Sequence, residues 1–105
     1  MHLPSIEPHM SDSAYRVHIW VTGHVQDVGF RAFVISSAEI IGVTGWVRNV
    51  GRDTVETVAE GTRQQVDQFI KAVKTGPRSS YVDESRVEEE QPTGAFPTFE
   101  MQSSR

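Results

Sequence analysis

The sequence predicts an α+β fold, in which an antiparallel sheet carries two helices on one face. Apolar and polar residues alternate from Tyr15 to Thr22, and apolar residues recur at helical spacing in two later segments. The predicted elements follow the order β-α-β-β-α-β, the split βαβ arrangement, which places both helices on the same side of the sheet. A length of 105 residues and an apolar content of 37% suffice for one domain with one modest core.

The first predicted strand begins near Ala14 and has the period of a half-buried strand. Its apolar residues are Tyr15, Val17, Ile19 and Val21. A helix is predicted from residue 30, because apolar residues recur there every three or four positions, and Gly42 is well placed to end it. Its apolar residues are Phe30, Phe33, Val34, Ala38 and Ile41.

A hairpin and a second helix are predicted next. Two strands over 43–50 and 54–59 are joined by a Gly-Arg-Asp turn. Thr62 and Gln65 have the spacing of a capping box at the start of the second helix, and Gly76, followed by proline, ends it. The apolar residues of this helix are Val66, Phe69, Ile70 and Val73.

The last part of the chain predicts a fourth strand over 81–90 and a short fifth strand over 98–102. Val82 and Val87 fall on opposite parity, so we expect a bulge or an irregular start in the fourth strand. Together the elements predict a ferredoxin-like βαββαβ sandwich with a short extra C-terminal strand, spanning residues 14–103.

Residues 1–13 are expected to be a disordered leader outside this domain. They contain two prolines, show no apolar periodicity and lack the apolar segment of a secretory signal. One interpretation is that the natural chain starts at Met10 and that residues 1–9 were added by cloning.

The composition limits the partners of the protein. A net charge of −4 disfavours nucleic acids and anionic membranes, because both require a basic face. The sequence has no cysteine, which suits the cytoplasm, and no apolar run near the roughly 18 residues of a membrane span. We therefore expect a cytoplasmic protein with no nucleic-acid or membrane partner, and a monomer as the simplest state of a small domain.

The segment Gly23-His24-Val25-Gln26-Asp27-Val28-Gly29-Phe30-Arg31 joins the first strand to the first helix. Such a glycine-bearing turn leaves backbone N–H groups unpaired at the positive end of a helix, which favours an anion. Arg31 adds a permanent charge that can donate two parallel hydrogen bonds to a phosphate or a carboxylate. The loop alone is equally consistent with an ordinary βα turn that carries a surface arginine.

Other polar residues give weaker indications. Asn49 ends the second strand, and a turn-favouring asparagine is at least as good an interpretation as a functional one. His18 and His24 have no partners at metal-ligand spacing, so no metal site is predicted. The acidic run in the fourth strand is typical of a solvated strand face.

Two separated motifs resemble the signatures of the acylphosphatase family. Residues 21–31 resemble the first signature. Residues 45–49, followed by Val55 and Gly61 at the proper spacing, resemble the second. The resemblance extends over about residues 14–102 and includes the order of the elements.

The resemblance implies hydrolysis of an acyl phosphate to a carboxylate and inorganic phosphate, with neither metal nor cofactor. It implies that Arg31 binds the phosphate and that Asn49 orients the attacking water. It also implies that the phosphoryl oxygens accept hydrogen bonds from the backbone N–H groups of His24, Val25, Gln26, Asp27, Val28, Gly29 and Phe30.

Two positions depart from the family pattern, and in both an aspartate stands where the family has glycine. Asp53 lies in the hairpin turn, where we expect only a small cost in stability because aspartate tolerates a positive φ. Asp27 lies in the loop itself, where a carboxylate directed at the phosphate would repel it. We expect Asp27 to point outward and to weaken the activity without abolishing it, so that Asp27→Gly raises kcat/KM.

Three other interpretations remain. The first is a phosphate- or carboxylate-binding regulatory module that Asp27 has weakened in turnover. The second is an accessory domain of a larger carbamoyl-transferring maturation protein, which a chain ending at Arg105 disfavours. The third is an RNA-recognition module, which has the same element order but requires a basic face and exposed aromatic residues on its central strands.

Overall fold

The computed structural model describes residues 14–105, so the expectations for residues 1–13 fall outside the described part of the chain. The predicted order of strands and helices is confirmed. The elements are β1 (Tyr15–His24), α1 (Phe30–Ile41), β2 (Thr44–Val50), β3 (Thr54–Gly61), α2 (Arg63–Thr75), β4 (Tyr81–Glu90) and β5 (Phe99–Met101).

The five strands form one sheet in the order β4-β1-β3-β2-β5. The first four strands pair antiparallel, as predicted, but β5 lies parallel to β2 and makes the sheet mixed. Backbone hydrogen bonds continue beyond β5, because the Arg105 N–H donates to the Asn49 carbonyl over 2.9 Å. The C-terminal segment therefore extends along β2 towards the end of the sheet where β1 meets α1.

Alternation in the strands separates the two faces of the sheet. One face packs against both helices and contains the apolar core, whose largest fully buried side chains include Phe30, Phe69, Ile19, Val21, Val34 and Val47. In β2 the side chains of Val47 and Asn49 lie on this helix-covered face, since the two residues are two positions apart and both are buried. Asn49 is thus a polar residue at the end of an otherwise apolar row.

Local signals at the ends of elements also behave as predicted, with one exception. Thr62 and Gln65 form the capping box of α2, and Gly42 ends α1 at a φ of 102°. The register of β4 against β1 shifts by one residue between Thr22 and Gly23, which confirms the expected irregularity. In the hairpin turn, however, the positive φ of 61° belongs to Gly51 and not to Asp53. Asp53 therefore carries none of the strain that was expected there.

The open face of the sheet carries a network of charged side chains. Glu60 is 6% exposed and accepts hydrogen bonds from Arg16 and from the backbone N–H groups of Thr93 and Gly94. These bonds attach the segment between β4 and β5 to the centre of the sheet. Burial alone would raise the pKa of Glu60, but the hydrogen bonds and the charge of Arg16 outweigh it, so the pKa lies below its ordinary value of 4.5.

Removing the charge of Glu60 is expected to destabilise the fold at neutral pH. Because folding lowers the pKa of Glu60, its carboxylate stabilises the protein above about pH 4.5, and this contribution disappears as the pH falls through the lowered value. Glu60→Gln should lower the free energy of unfolding by about 2 kcal/mol at pH 7. The difference between variant and wild type should shrink at pH 3, as measured by urea unfolding at both pH values.

Glu39→Gln provides the control for this experiment. Glu39 is exposed on α1 and takes part in none of the ion pairs within residues 14–105. Its substitution changes the net charge equally but should leave stability within about 0.5 kcal/mol. Equal effects of the two substitutions would contradict a specific role of Glu60.

Candidate active site

The loop over residues 25–29 connects β1 to α1 and has an unusual backbone. Val25 is fully buried in the core and fixes the start of the loop. Asp27 has a φ of 61° and is the one residue other than glycine with a positive φ between residues 14 and 105. Gly29 has a φ of 79° and precedes the first turn of α1 without capping it through a side chain. These two left-handed residues curl the loop around the N-terminus of the helix.

The N–H groups of this loop are available to a ligand. Within the described part of the chain, no hydrogen bond has a backbone N–H of residues 25–32 as its donor. The first of these N–H groups belong to the loop, and the last belong to the uncapped first turn of α1. Unpaired N–H groups at the positive end of a helix bind anions. The arrangement of these groups suits an anion, and we use the name cradle for residues 24–30, of which His24 is the last residue of β1 and residues 25–30 have the unpaired N–H groups.

Other groups of the cradle are held by the neighbouring segments. The Gln26 side-chain amide donates to the carbonyl groups of Val50, Gly51 and Thr54 at 3.3, 3.2 and 2.9 Å. On the other side, the Ser79 hydroxyl donates to the Val28 carbonyl over 2.9 Å. These contacts attach the cradle to the β2–β3 hairpin and to the segment before β4 without occupying its N–H groups. The loop is thus held in place by its neighbours while its N–H groups stay available.

Asn49 brings an unsatisfied polar group to the same end of the sheet. Its side chain is 8% exposed, and its Oδ1 atom is buried without a hydrogen-bond partner in the described chain. Buried side-chain oxygens rarely lack a donor, because an unpaired one costs about 1–3 kcal/mol. The Oδ1 atom of Asn49 is thus available to accept a hydrogen bond from a molecule in the cleft.

Asn49 and Arg31 line one cleft together with the cradle. The cleft has a volume of about 140 Å³ and is lined by Val25, Asp27, Gly29, Phe30, Arg31, Ala32, Asn49 and Met101. Arg31 is half-buried and takes part in none of the ion pairs or side-chain hydrogen bonds among residues 14–105. Its guanidinium therefore retains its donors for a ligand.

The cleft also contains a residue that the sequence analysis did not single out. Met101 belongs to β5, is 46% exposed and pairs with Val47 in the parallel register. Partners in a parallel pair project from the same face, so Met101 lies on the face of Asn49. Phe99 and Met101 are two positions apart, so the sequence could have indicated that both lie on the helix-covered face of the sheet. The position of Met101 beside the cradle, however, depends on the pairing of β5 with β2.

The histidines lie elsewhere. Both ring nitrogens of His18 are 2.6 Å from carboxylate oxygens, those of Glu56 and Glu90, on the open face of the sheet. His24 is exposed at the end of β1. Residues 14–105 contain no group of three or more acidic or histidine side chains placed to hold a metal ion. In this part of the chain, no helix combines the length and apolar character needed to cross a membrane.

Comparison with known families identifies the group to which these features belong. The sequence model of the acylphosphatases matches residues 17–101, which include the cradle, Arg31 and Asn49. The chain belongs to the acylphosphatase family. The resemblance of the two signatures is thereby confirmed, and the activity that the family indicates is the hydrolysis of acyl phosphates.

Individual acylphosphatases are similar over nearly their whole length. The acylphosphatase of Syntrophotalea carbinolica is 45% identical over 86 residues, which cover 82% of this chain and 94% of the relative. The crystal structure of acylphosphatase from Bacillus subtilis aligns with a TM-score of 0.80 at 35% identity, covering 84% of this chain and 98% of that one. Full-length HypF in a phosphate- and nucleotide-bound form aligns with the same TM-score at 28% identity, but the alignment covers 12% of HypF.

Proposed function

We propose that the protein hydrolyses acyl phosphates in the cleft between the cradle and Asn49. The backbone N–H groups of the cradle and the guanidinium of Arg31 bind the phosphoryl oxygens, and the Asn49 side chain orients the attacking water. The observation that carries this proposal is the buried Oδ1 atom of Asn49, which has no partner among residues 14–105 and lies in the same cleft as a loop whose N–H groups have none there either. In this proposal the Oδ1 atom of Asn49 accepts a hydrogen bond from the water, and the N–H groups donate to the phosphoryl oxygens.

The chemistry needs little beyond positioning and charge stabilisation. The water oxygen attacks phosphorus, the bond from phosphorus to the acyl oxygen breaks, and the carboxylate leaves with the electron pair. A carboxylate is a good leaving group, so no acid is needed to protonate it. A phosphoryl oxygen of the substrate accepts the proton lost by the water. Fixed N–H donors and an arginine stabilise the charge on the phosphoryl group in the transition state.

The cradle also supports a reaction without a metal ion. In other phosphoryl transfers a metal ion neutralises the phosphoryl oxygens. Here the N–H groups of residues 25–32, the positive end of α1 and Arg31 supply positive charge at that position. We therefore include metal independence in the proposal.

We also propose that the protein is a cytoplasmic monomer without a nucleic-acid partner. The absence of cysteine suits the cytoplasm. Within residues 14–105 the large exposed apolar side chains are few and are spread over α1, β4 and β5, which favours a monomer; they are Ile40, Tyr81, Val87 and Met101. On the open face the rings of Trp20 and Trp46 are covered by Arg86 and Arg48, at 4.0 and 4.7 Å from the ring centroids. Such covered rings are poor platforms for stacking nucleobases.

Hydrolysis of benzoyl phosphate in the presence of a chelator tests the proposed reaction. We expect turnover that is unaffected by the chelator and competitively inhibited by inorganic phosphate. In ¹⁸O-labelled water the label should appear in the phosphate, because the water attacks phosphorus. Label in the benzoate would contradict the attack at phosphorus, and phosphate binding without turnover would indicate the regulatory binding module.

A further inference from the structure

Asp27 is an exposed acidic residue that lines the cleft. Its side chain is exposed, and it takes part in no ion pair or side-chain hydrogen bond among residues 14–105. It nevertheless lines the same cleft as Arg31 and Asn49. The positive φ of Asp27 is available to asparagine and aspartate at low cost, so the loop accommodates an aspartate at this position.

The exposure of the lining residues determines which part of the substrate meets Asp27. Of the side chains proposed to act on the phosphoryl group and the water, Arg31 is half-buried and Asn49 is 8% exposed. Asp27 and Met101 line the same cleft but are exposed to solvent. With the phosphoryl group at the more buried groups, the acyl group extends towards solvent past Asp27 and Met101.

The two exposed side chains have different chemistry. Met101 offers a flexible apolar surface that accepts many shapes. Asp27 contributes a negative charge that forms no ion pair within 4 Å among residues 14–105, and the cation in the same cleft, Arg31, is the one proposed to bind the phosphoryl group. A second negative charge on the acyl group would be repelled by Asp27, and a positive charge would be attracted. The effect reaches beyond direct contact, because charges separated by less than about 8–10 Å are only partly screened at moderate salt.

We infer that Asp27 makes the enzyme select acyl phosphates by the charge of the acyl group, favouring neutral and cationic groups over anionic ones. This inference rests on the proposed function. It assigns to Asp27 a specificity-determining role in addition to its backbone N–H in the cradle. Acyl phosphates that carry a second carboxylate or a second phosphate are accordingly the poorest substrates of this site.

Three benzoyl phosphates of similar size test the inference: the unsubstituted compound, the 4-carboxy compound and the 4-trimethylammonio compound. For each, kcat/KM is measured for the wild type and for Asp27→Asn, which removes the charge but keeps the shape and the tolerance of a positive φ. Comparing the two proteins on each substrate cancels the intrinsic reactivity of that substrate. We expect Asp27→Asn to raise kcat/KM about fivefold to tenfold more for the 4-carboxy compound than for benzoyl phosphate.

For the 4-trimethylammonio compound the variant should gain least or lose activity. The selectivity of the wild type should also weaken as salt is raised, whereas the ratios of Asp27→Asn should change little. Asp27→Gly should show the same pattern. That result would attribute the selectivity to the charge of Asp27 and not to the amide that Asp27→Asn introduces. Glu39→Gln is the control, since it removes one carboxylate from the exposed face of α1, nine residues or about 13 Å beyond Phe30.

The outcomes separate this inference from the proposed function. Turnover of all three substrates with equal ratios in wild type and Asp27→Asn would overturn the selectivity and leave the proposed hydrolysis intact. Equal changes in Asp27→Asn and Glu39→Gln would also overturn it, since they would reflect net charge alone. No turnover of benzoyl phosphate by either protein would overturn the proposed function itself.

Discussion

Arg31→Ala is expected to lower kcat/KM for benzoyl phosphate by about a thousandfold and to abolish inhibition by inorganic phosphate. Arg31 lines the cleft and has no ion-pair partner in the described chain, so the donors of its guanidinium are available to a ligand. Removing one preorganised donor of a charged transition state costs about 10²–10³ in rate, and an arginine in phosphoryl transfer contributes about 10³–10⁵. Steady-state kinetics with phosphate as inhibitor measures both effects.

The same substitution should not destabilise the protein. Arg31 is in the first turn of α1, where a positive charge opposes the helix dipole, and alanine has the higher helix propensity. We expect the free energy of unfolding to stay the same or to rise by a few tenths of a kcal/mol, measured by urea unfolding. A large loss of activity in a protein of unchanged stability would assign Arg31 to function alone.

Two further variants sharpen this experiment. Arg31→Lys keeps the charge but loses the planar pair of donors, so it should recover part of the phosphate inhibition and little of the turnover. Arg52→Ala removes an equal charge from the exposed β2–β3 turn and should leave both quantities unchanged. Normal phosphate inhibition in Arg31→Ala would refute the assignment of Arg31 as a phosphate-binding residue.

Much of the fold was predictable because its signals are local. The alternation in β1, the helical spacing after Phe30 and the capping box at Thr62 each depend on a few neighbouring residues. The parallel pairing of β5 was not predictable in this way. Three residues carry little periodicity, and their position is determined by long-range pairing, in which Gly45 lies opposite Phe99.

The same contrast between local signals and long-range contacts applies to the candidate site. The loop and Arg31 were recognisable because they are contiguous and because a positive charge at a helix N-terminus departs from the usual preference. Asn49 was ambiguous in the sequence, since a strand-ending asparagine usually serves a turn. Burial distinguishes the two interpretations. An asparagine that serves a turn is exposed, whereas Asn49 is buried and its side-chain oxygen has no hydrogen-bond partner in the described chain.

The attachment of the cradle required the tertiary structure. Gln26 makes three contacts with the β2–β3 hairpin, about 25 residues away in sequence, and no spacing rule connects these positions. Its single side chain links the loop proposed to bind the anion with the hairpin that contains Asn49. The relative positions of the two proposed functional groups therefore depend on a polar contact that neither motif shows by itself.

Asn49→Ala is expected to lower kcat by about 10²–10³ while leaving the affinity for inorganic phosphate nearly unchanged. A residue that positions water contributes to the attack and not to the binding of the phosphoryl oxygens, so its loss lowers kcat without weakening the ground-state complex. The variant should be about as stable as the wild type, because the Asn49 Oδ1 atom makes no hydrogen bond within the described chain that the substitution would remove. Kinetics, phosphate inhibition and urea unfolding measure the three quantities.

Asn49→Asp distinguishes orientation of water from simple filling of the cleft. Aspartate has the same shape and keeps an oxygen at the position of Oδ1, so it could still accept from water, but its charge would repel the phosphoryl group in a cleft of about 140 Å³. We therefore expect Asn49→Asp to weaken phosphate inhibition, which Asn49→Ala leaves intact. If Asn49→Ala instead lost phosphate affinity in parallel with kcat, Asn49 would bind the phosphoryl group directly. Water would then have to be positioned by the remaining polar groups of the cleft, which are the cradle N–H groups, Arg31 and Asp27.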